Sequence, residues 1–220
     1  MSVVEALNNR RSIRAFKDTP IPDQELKEIF KQAQQSPSNC NVQPWQTYIV
    51  SGAKKDALKD ALIGELMSGQ GPKPDFNWSA KYSGVHRERQ FGSADKLYSA
   101  LDIAREDKSA RQMAMVKNWE FFGAPHVAFF TMDKYLDIMG AVDIGIYTQS
   151  LALLLQERGI SSCFQGALSQ FPQPARELFN LSEDQGILFG MSFGYADDEA
   201  MVNTTITERA DLSDAVTFIA

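Results

Sequence analysis

An α+β fold, with a sheet flanked by helices, is what this sequence predicts, on three observations. Segments with the spacing of amphipathic helices and short runs rich in β-branched and aromatic residues both occur, in an order that does not repeat as strand-helix-strand. No GxGxxG turn of the doubly wound folds follows any strand-like segment. The 220 residues are 44% hydrophobic and 23% charged, the balance of a folded globular chain, and their number suits a single domain over residues 1–220.

The elements follow in order. Val3–Asn9 reads as a short helix, and RRSIRAF (Arg10–Phe16) as an extended stretch whose isoleucine and phenylalanine alternate with polar residues. Leu26, Ile29, Phe30 and Ala33 then recur at helical spacing, with Asp23 and Glu25 in the first turn, where the helix dipole favours acids. Ser36-Pro37 ends that helix, because proline pushes its predecessor out of the α region. Trp45–Val50 is a strand by its aromatic and β-branched content, and Leu58, Leu62 and Leu66 mark a helix over Ala53–Met67.

Ser68–Ala94 has no clear period and reads as a long loop, either a lid over a pocket or an excursion that wraps a partner. Its aromatics Phe76, Trp78, Tyr82 and Phe91 suit stacking on a planar molecule. Asp95–Asn118 is expected to be helical, His126–Met132 a buried strand and Gly140–Gln156 a long helix with apolar residues on most faces. Ile160–Phe164 and Phe189–Tyr195 are the remaining strands.

Charge and composition exclude several functions. A net charge of -6 and an isoelectric point near 5.0 disfavour general attraction to nucleic acid or to anionic membranes. Consecutive apolar runs such as Leu151–Leu155 fall short of the roughly 18 residues of a membrane span, and the N-terminus lacks signal-peptide features, so a soluble, cytoplasmic protein is expected. Cys40 and Cys163 are isolated and read as unpaired buried thiols. With only His86 and His126 as histidines, and His126 opening an apolar strand as a structural residue, no metal site is expected. Walker and nucleophile-elbow motifs are absent too.

Four polar clusters remain. In an extended segment Arg10, Ser12 and Arg14 point to one side, and two guanidinium groups flanking a hydroxyl suit a phosphate. Taken alone, a solvated basic patch is the simpler reading. The loop Ser36–Trp45, SPSNCNVQPW, offers amides and hydroxyls to a heterocycle edge, although these are also ordinary turn residues. Gln165-Gly166 follows a strand where glycine permits close approach of a ligand, and Asn203–Arg209 is a polar segment ending in arginine.

RRSIRAF, SPSNCNVQPW, QGAL (165–168) and GYADDEAMVNTTITER (194–209), in that order, resemble the motifs of the nitroreductase family. The resemblance implies a central mixed sheet flanked by helices, in a homodimer whose interface holds two FMN molecules and whose C-terminal segment reaches the partner subunit. It implies that Arg10, Ser12 and Arg209 bind the FMN phosphate and that Arg14 lies near the flavin N1/O2 edge, where positive charge stabilises the reduced ring. Pro37, Ser38, Asn39 and Asn41 match the loop that reaches the neighbouring subunit's flavin, Gln165 and Gly166 the pair beside the reactive N5, and Asn118 the amide at the pyrimidine edge. Arg14, Gln165 and Gly166 are thus the candidate catalytic positions. Many relatives carry lysine where this chain has Thr207, and Arg11 is the candidate for replacing that charge.

The implied activity is transfer of hydride from NADH or NADPH through FMN to a small planar electrophile, such as a nitroaromatic or a quinone, in a ping-pong cycle. Reductive dehalogenation, enone reduction and a non-catalytic FMN-storage module are the alternatives.

Overall fold

The computed structural model describes residues 1–77 and 81–219. Its sheet is organised around β2 (His126–Asp133), whose residues are all buried except Asp133. β1 (Gln46–Ser51) and β4 (Gln185–Gly194) flank it and β3 (Ser161–Gln165) pairs beyond β4, giving the order β1-β2-β4-β3 with every neighbour antiparallel. A parallel bridge from Ser12 to Ser162 lays the Arg10–Phe16 segment along β3, so the mixed character of the sheet resides at this edge.

Side chains of successive strand residues point to opposite faces, and β2 therefore feeds two cores. Ala128, Phe130 and Met132 share one with Leu26 and Ile29 of α2 (Asp23–Ala33) and with Ile144, Tyr147 and Leu151 of α6 (Asp137–Glu157). Val127 and Phe129 share the other with Leu58 and Leu62 of α3 (Gly52–Met67) and Ala175 of α7 (Gln173–Phe179). Each large apolar side chain buried in this way contributes about 1.5–3 kcal/mol.

The expected helix Val3–Asn9 is present as α1, closed by a capping box between Ser2 and Glu5. The aperiodic stretch Ser68–Ala94 divides into parts. Asp75 accepts the Ile187 N–H at 2.9 Å and pairs with Arg176 at 3.0 Å and Lys134 at 3.5 Å. Phe76 lies over Gly186, where a Cβ would stand 2.6 Å from its ring, so it is packed against the sheet and not free to stack on a ligand. Trp78 lies outside the described residues, and α4 (Gly84–Ala100) is a helix where a loop was expected. The single helix expected over Asp95–Asn118 is the end of α4 and a separate α5 (Lys108–Val116), with Asp102 at φ 53° between them. α7 has no counterpart in the sequence reading, and β4 starts four residues before the expected Phe189.

Two further expectations change. The stretch Lys134–Glu157 is long and apolar enough to cross a membrane by length and composition, although its consecutive apolar runs are short. In this fold α6 packs one face into the sheet core and places the acid Asp143, 3% exposed, near its middle. Cys163 is buried as expected, but Cys40 is exposed.

His126 is structural. Its ring stacks on Phe193 at 5.4 Å, Nε2 accepts the Ile21 N–H at 2.9 Å, and the proton therefore sits on Nδ1, which is buried with no partner among the described residues. Burial lowers its pKa below the ordinary 6.5, with Asp23 opposing and Lys55 adding to the shift. The folded state holds the neutral ring, so the unfolded chain takes up the extra proton and stability is lost as pH falls below 6.5 towards the depressed value. The melting midpoint is expected to drop over that range, and His126→Gln, which keeps an acceptor for the Ile21 amide and cannot protonate, is expected to flatten the drop. An unchanged acid limb in the variant would assign the sensitivity to other groups.

Candidate active site

α1 ends at Arg10, whose backbone turns extended at φ -62° and ψ 120°, and the chain then runs along β3 with Ile13 N–H bonded to the Ser162 carbonyl at 3.2 Å. Ile13 goes into the core while Arg10, Ser12 and Arg14 are each half-buried, and Arg11 is exposed. The C-terminal segment brings Arg209 to Arg10. Burial first, and the Arg209 charge second, lower the Arg10 pKa. Among the described residues neither arginine has a salt-bridge partner; half-buried Arg10 and exposed Arg209, two like charges near one another, suit an anion. Arg209 donates through Nη1 to the Thr207 carbonyl at 3.0 Å and to its hydroxyl at 3.2 Å, so Thr207 orients the guanidinium.

Arg14 reaches a different space. It lines, with Asn118, a cleft of about 1010 Å³ between α3, α4 and α5. Ile63, Leu97, Ile103, Met113 and Phe122 make this cleft largely apolar, while Lys55, Lys59 and Lys117 stand at its edge. Tyr82 and Phe91 are both 52% exposed, and Arg87 lies 5.1 Å over the Phe91 ring.

Gln165 ends β3 with its side chain turned inward. Its Oε1 accepts from the Ser192 hydroxyl, and its Nε2 donates to the Asn118 carbonyl at 2.8 Å and side-chain oxygen at 3.4 Å. The amide of Asn118 in turn donates to the Met115 carbonyl at 3.0 Å. Gln165 is 2% exposed, so what this corner can offer a ligand is backbone and the adjacent Gly166. The turn after Gly166 sits close on the sheet because β4 has glycine at 190, where a Cβ would stand 2.6 Å from Leu168. Gly166 also borders a hollow of about 430 Å³ against Gly145, Thr148 and Gln149 of α6.

The loop after Ser36-Pro37 lies on the α6 side. Cys40, Asn41 and Gln43 hold φ of 47°, 58° and 49°, a region in which a non-glycine residue costs about 1–2 kcal/mol. The Ser38 hydroxyl accepts the Gln43 N–H at 2.9 Å, and Pro37, Asn39 and Asn41 are exposed. The structure thus brings Arg10, Ser12 and Arg209 to one corner and Gln165 to Asn118, and it sets Pro37–Asn41 apart from both.

Ser192 and Asp143 escaped the sequence reading, and Asn203 entered it only as the start of a polar segment, with no role of its own. Ser192 and Asn203 act through partners remote in sequence. Asn203 accepts the Arg14 N–H at 2.8 Å and donates to the Ala15 and Asp197 carbonyls, both at 2.9 Å. Asp143 did leave a signal, a lone acid within an apolar helix.

The sequence model of the Nitroreductase family matches residues 7–195. The 4-nitrobenzoate reductase of Pseudomonas putida is 35% identical, over 89% of this chain and 86% of its own. Among solved structures, the FMN-dependent nitroreductase NfnB from Mycobacterium smegmatis, in complex with NADPH, superposes with a TM-score of 0.94 at 35% identity, over 99% of this chain and 98% of that one. The FMN and NADPH-dependent nitroreductase NfnB from Sphigopyxis sp. strain HMH gives a TM-score of 0.96 at 34% identity, with both chains fully covered.

Asn203 makes three hydrogen bonds, each contributing about 0.5–1.5 kcal/mol. Asn203→Ala is expected to leave the sheet intact and to speed limited proteolysis of residues 201–219 by about tenfold or more. Cleavage at the wild-type rate would show that other contacts hold this segment.

Proposed function

Because the chain belongs to the nitroreductase family, we propose that it is an FMN-dependent oxidoreductase reducing nitroaromatic acceptors with electrons from NAD(P)H. The observation that carries this reading is the nearness of the Arg10 and Arg209 charges, neither of which forms a salt bridge among the described residues. A dication of this kind, half-buried at Arg10 and open to solvent at Arg209, fits a phosphate monoester, to which each guanidinium can give paired, charge-assisted hydrogen bonds. Ser12 adds a hydroxyl beside Arg10.

In this reading Arg10, Ser12 and Arg209 hold the phosphate, with exposed Arg11 adding long-range positive charge only. FMN, when bound, supplies the chemistry of accepting and giving up hydride. Arg14 provides positive charge where the reduced ring becomes negative, and Asn118, held by Gln165, presents its amide region to the pyrimidine edge. Gly166 allows a backbone N–H to approach N5. The α3-α4-α5 cleft beside Arg14 admits the planar electrophile, nitroaromatic or quinone, and α4 and α5 act as its lid. No second nicotinamide-binding fold is needed, so reductant and acceptor use one face in turn.

We further propose a homodimer. Ile138, Met139, Val142 and Ile146 of α6 and Val3, Val4 and Leu7 of α1 are exposed together on adjoining helices. So many exposed apolar side chains on two helices suit an interface with a second copy, and the loop Pro37–Asn41, tied to α6 through Asp143, would reach a partner's flavin from there. Phe218 and Ile219, 81% and 93% exposed, end a segment suited to lie on that partner.

Purified protein is expected to carry FMN, and Arg209→Ala to weaken its binding roughly ten- to a hundredfold, the equivalent of about 1.5–3 kcal/mol. Unchanged affinity would remove Arg209 from the site. Initial rates with NAD(P)H and a nitroaromatic are expected to give parallel double-reciprocal lines; intersecting lines would mean that both substrates bind at once. Light scattering is expected to report twice the 24.5 kDa chain mass.

A further inference from the structure

The loop Pro37–Gln43 keeps a strained backbone with almost no packing of its own. Asn39, Cys40, Asn41, Val42 and Gln43 are all exposed, and three of them hold positive φ. Most of its hydrogen bonds close within the loop: Asn41 N–H to the Ser38 carbonyl at 3.0 Å, Val42 N–H to the Asn39 carbonyl at 3.1 Å, and the Gln43 amide to the Asn41 carbonyl at 3.0 Å. One contact ties it to the body of the protein. The backbone N–H of Asn39 donates to both carboxylate oxygens of Asp143, at 3.0 and 3.2 Å. One helical turn on, Tyr147 stacks on Trp45 at 4.8 Å and holds the loop's far end.

Asp143 is otherwise costly. It is 3% exposed in an apolar helix, and among the described residues it forms no salt bridge. An apolar side chain would stabilise α6 more, because a buried carboxylate gives up its hydration without a cation to replace it. Departure from a local rule of this kind points to a role in a site. An acceptor of two oxygens aimed at one loop amide fixes where the strained turn begins.

We infer that Asp143 is a positioning residue: it clamps the Asn39 amide so that the loop Pro37–Gln43 is preorganised to receive the flavin. The inference rests on the proposed contact of this loop with FMN. Without the carboxylate the turn relaxes from its positive-φ conformation, and binding must supply the ordering that Asp143 now provides.

The test compares Asp143→Ala, Asp143→Asn and Asn41→Ala by FMN titration, by the melting midpoint of the apoprotein and by light scattering. Asp143→Ala is expected to weaken FMN binding by roughly tenfold or more, with the dimer retained and the apoprotein melting at or above the wild-type temperature. Asp143→Asn, which keeps one acceptor oxygen of the same shape, is expected to recover most of the affinity. Asp143→Ala with wild-type affinity overturns the inference. So does a loss of affinity that merely follows a lower melting midpoint and is not recovered by asparagine. If Asn41→Ala leaves affinity unchanged, the loop does not touch the flavin and the underlying reading fails; if Asn41→Ala weakens binding and Asp143→Ala does not, only the clamp fails.

Discussion

The bond from Ile13 N–H to the Ser162 carbonyl, at 3.2 Å, governs where the charged groups of the site can go. It lays an arginine-rich segment against the edge of β3, and the alternation of an extended chain then buries Ile13 and leaves Arg10, Ser12 and Arg14 along one side. β3 is itself held by β4, and β4 by the wholly apolar centre of β2, so the position of the guanidinium groups is set by the sheet. Asn203 then fastens the C-terminal segment to the same stretch through Arg14 N–H and the Ala15 carbonyl, which is how Arg209 comes to stand by Arg10. The N-terminal part of the site is thus laid down by backbone hydrogen bonds, whereas its C-terminal part hangs on one side chain, Asn203.

On that frame the protein tolerates local disadvantage. Acidic residues outnumber basic ones in the chain, 28 to 22, yet none pairs with Arg10, Arg14 or Arg209 among the described residues. Carboxylates that do meet arginine do so elsewhere, as Asp75 does with Arg176 beneath the Gly186 turn. Unpaired cations, three L-residues at positive φ in the Pro37–Gln43 loop and a buried carboxylate without a salt bridge are found among the proposed site residues, and the apolar cores carry some strain as well, since buried Phe121 and Phe122 hold φ of 55° and 54°. Gln165 shows the compensating principle. Both ends of its amide are satisfied, so this buried polar side chain stays fixed instead of competing for the ligand.

How much of this was legible follows from how far each feature depends on its neighbours in sequence. α2 announces itself by the period that its one buried face leaves, and β2 by the near-continuous apolar run of a strand buried on both faces. α4 has no buried residue, therefore carries no apolar stripe, and reads as a loop. α7 is seven residues long, too short for a period, and is delimited instead by Pro172 before it and by Asn180 in the left-handed conformation after it. Within the site, Arg10, Ser12 and Arg14 were legible since their common direction follows from strand geometry alone. The inward turn of Gln165 was not, because it is decided by Ser192 and Asn118, which only folding brings near.

The same reasoning separates the durable parts of the site from its variable part. α4 and α5 contribute no buried residue, so no core pins them. α4 meets the C-terminal segment through Lys96 and Glu208 at 2.7 Å and through Arg89 and Asp214 at 3.8 Å, and α5 meets α4 through Arg111 over the Tyr98 ring at 4.2 Å. Exposed pairs of this kind contribute about 0–1 kcal/mol each and weaken with salt. The walls of the cleft beside Arg14 can therefore be remodelled by substitution at little expense to the fold, while the Arg10–Phe16 segment, bonded to β3, cannot. Yet the cleft and the anion corner are not independent, since Glu208, which anchors α4, is the immediate neighbour of Arg209. The segment that carries Arg209 thus also holds a helix that lines the cleft, and a change to either is felt at the other.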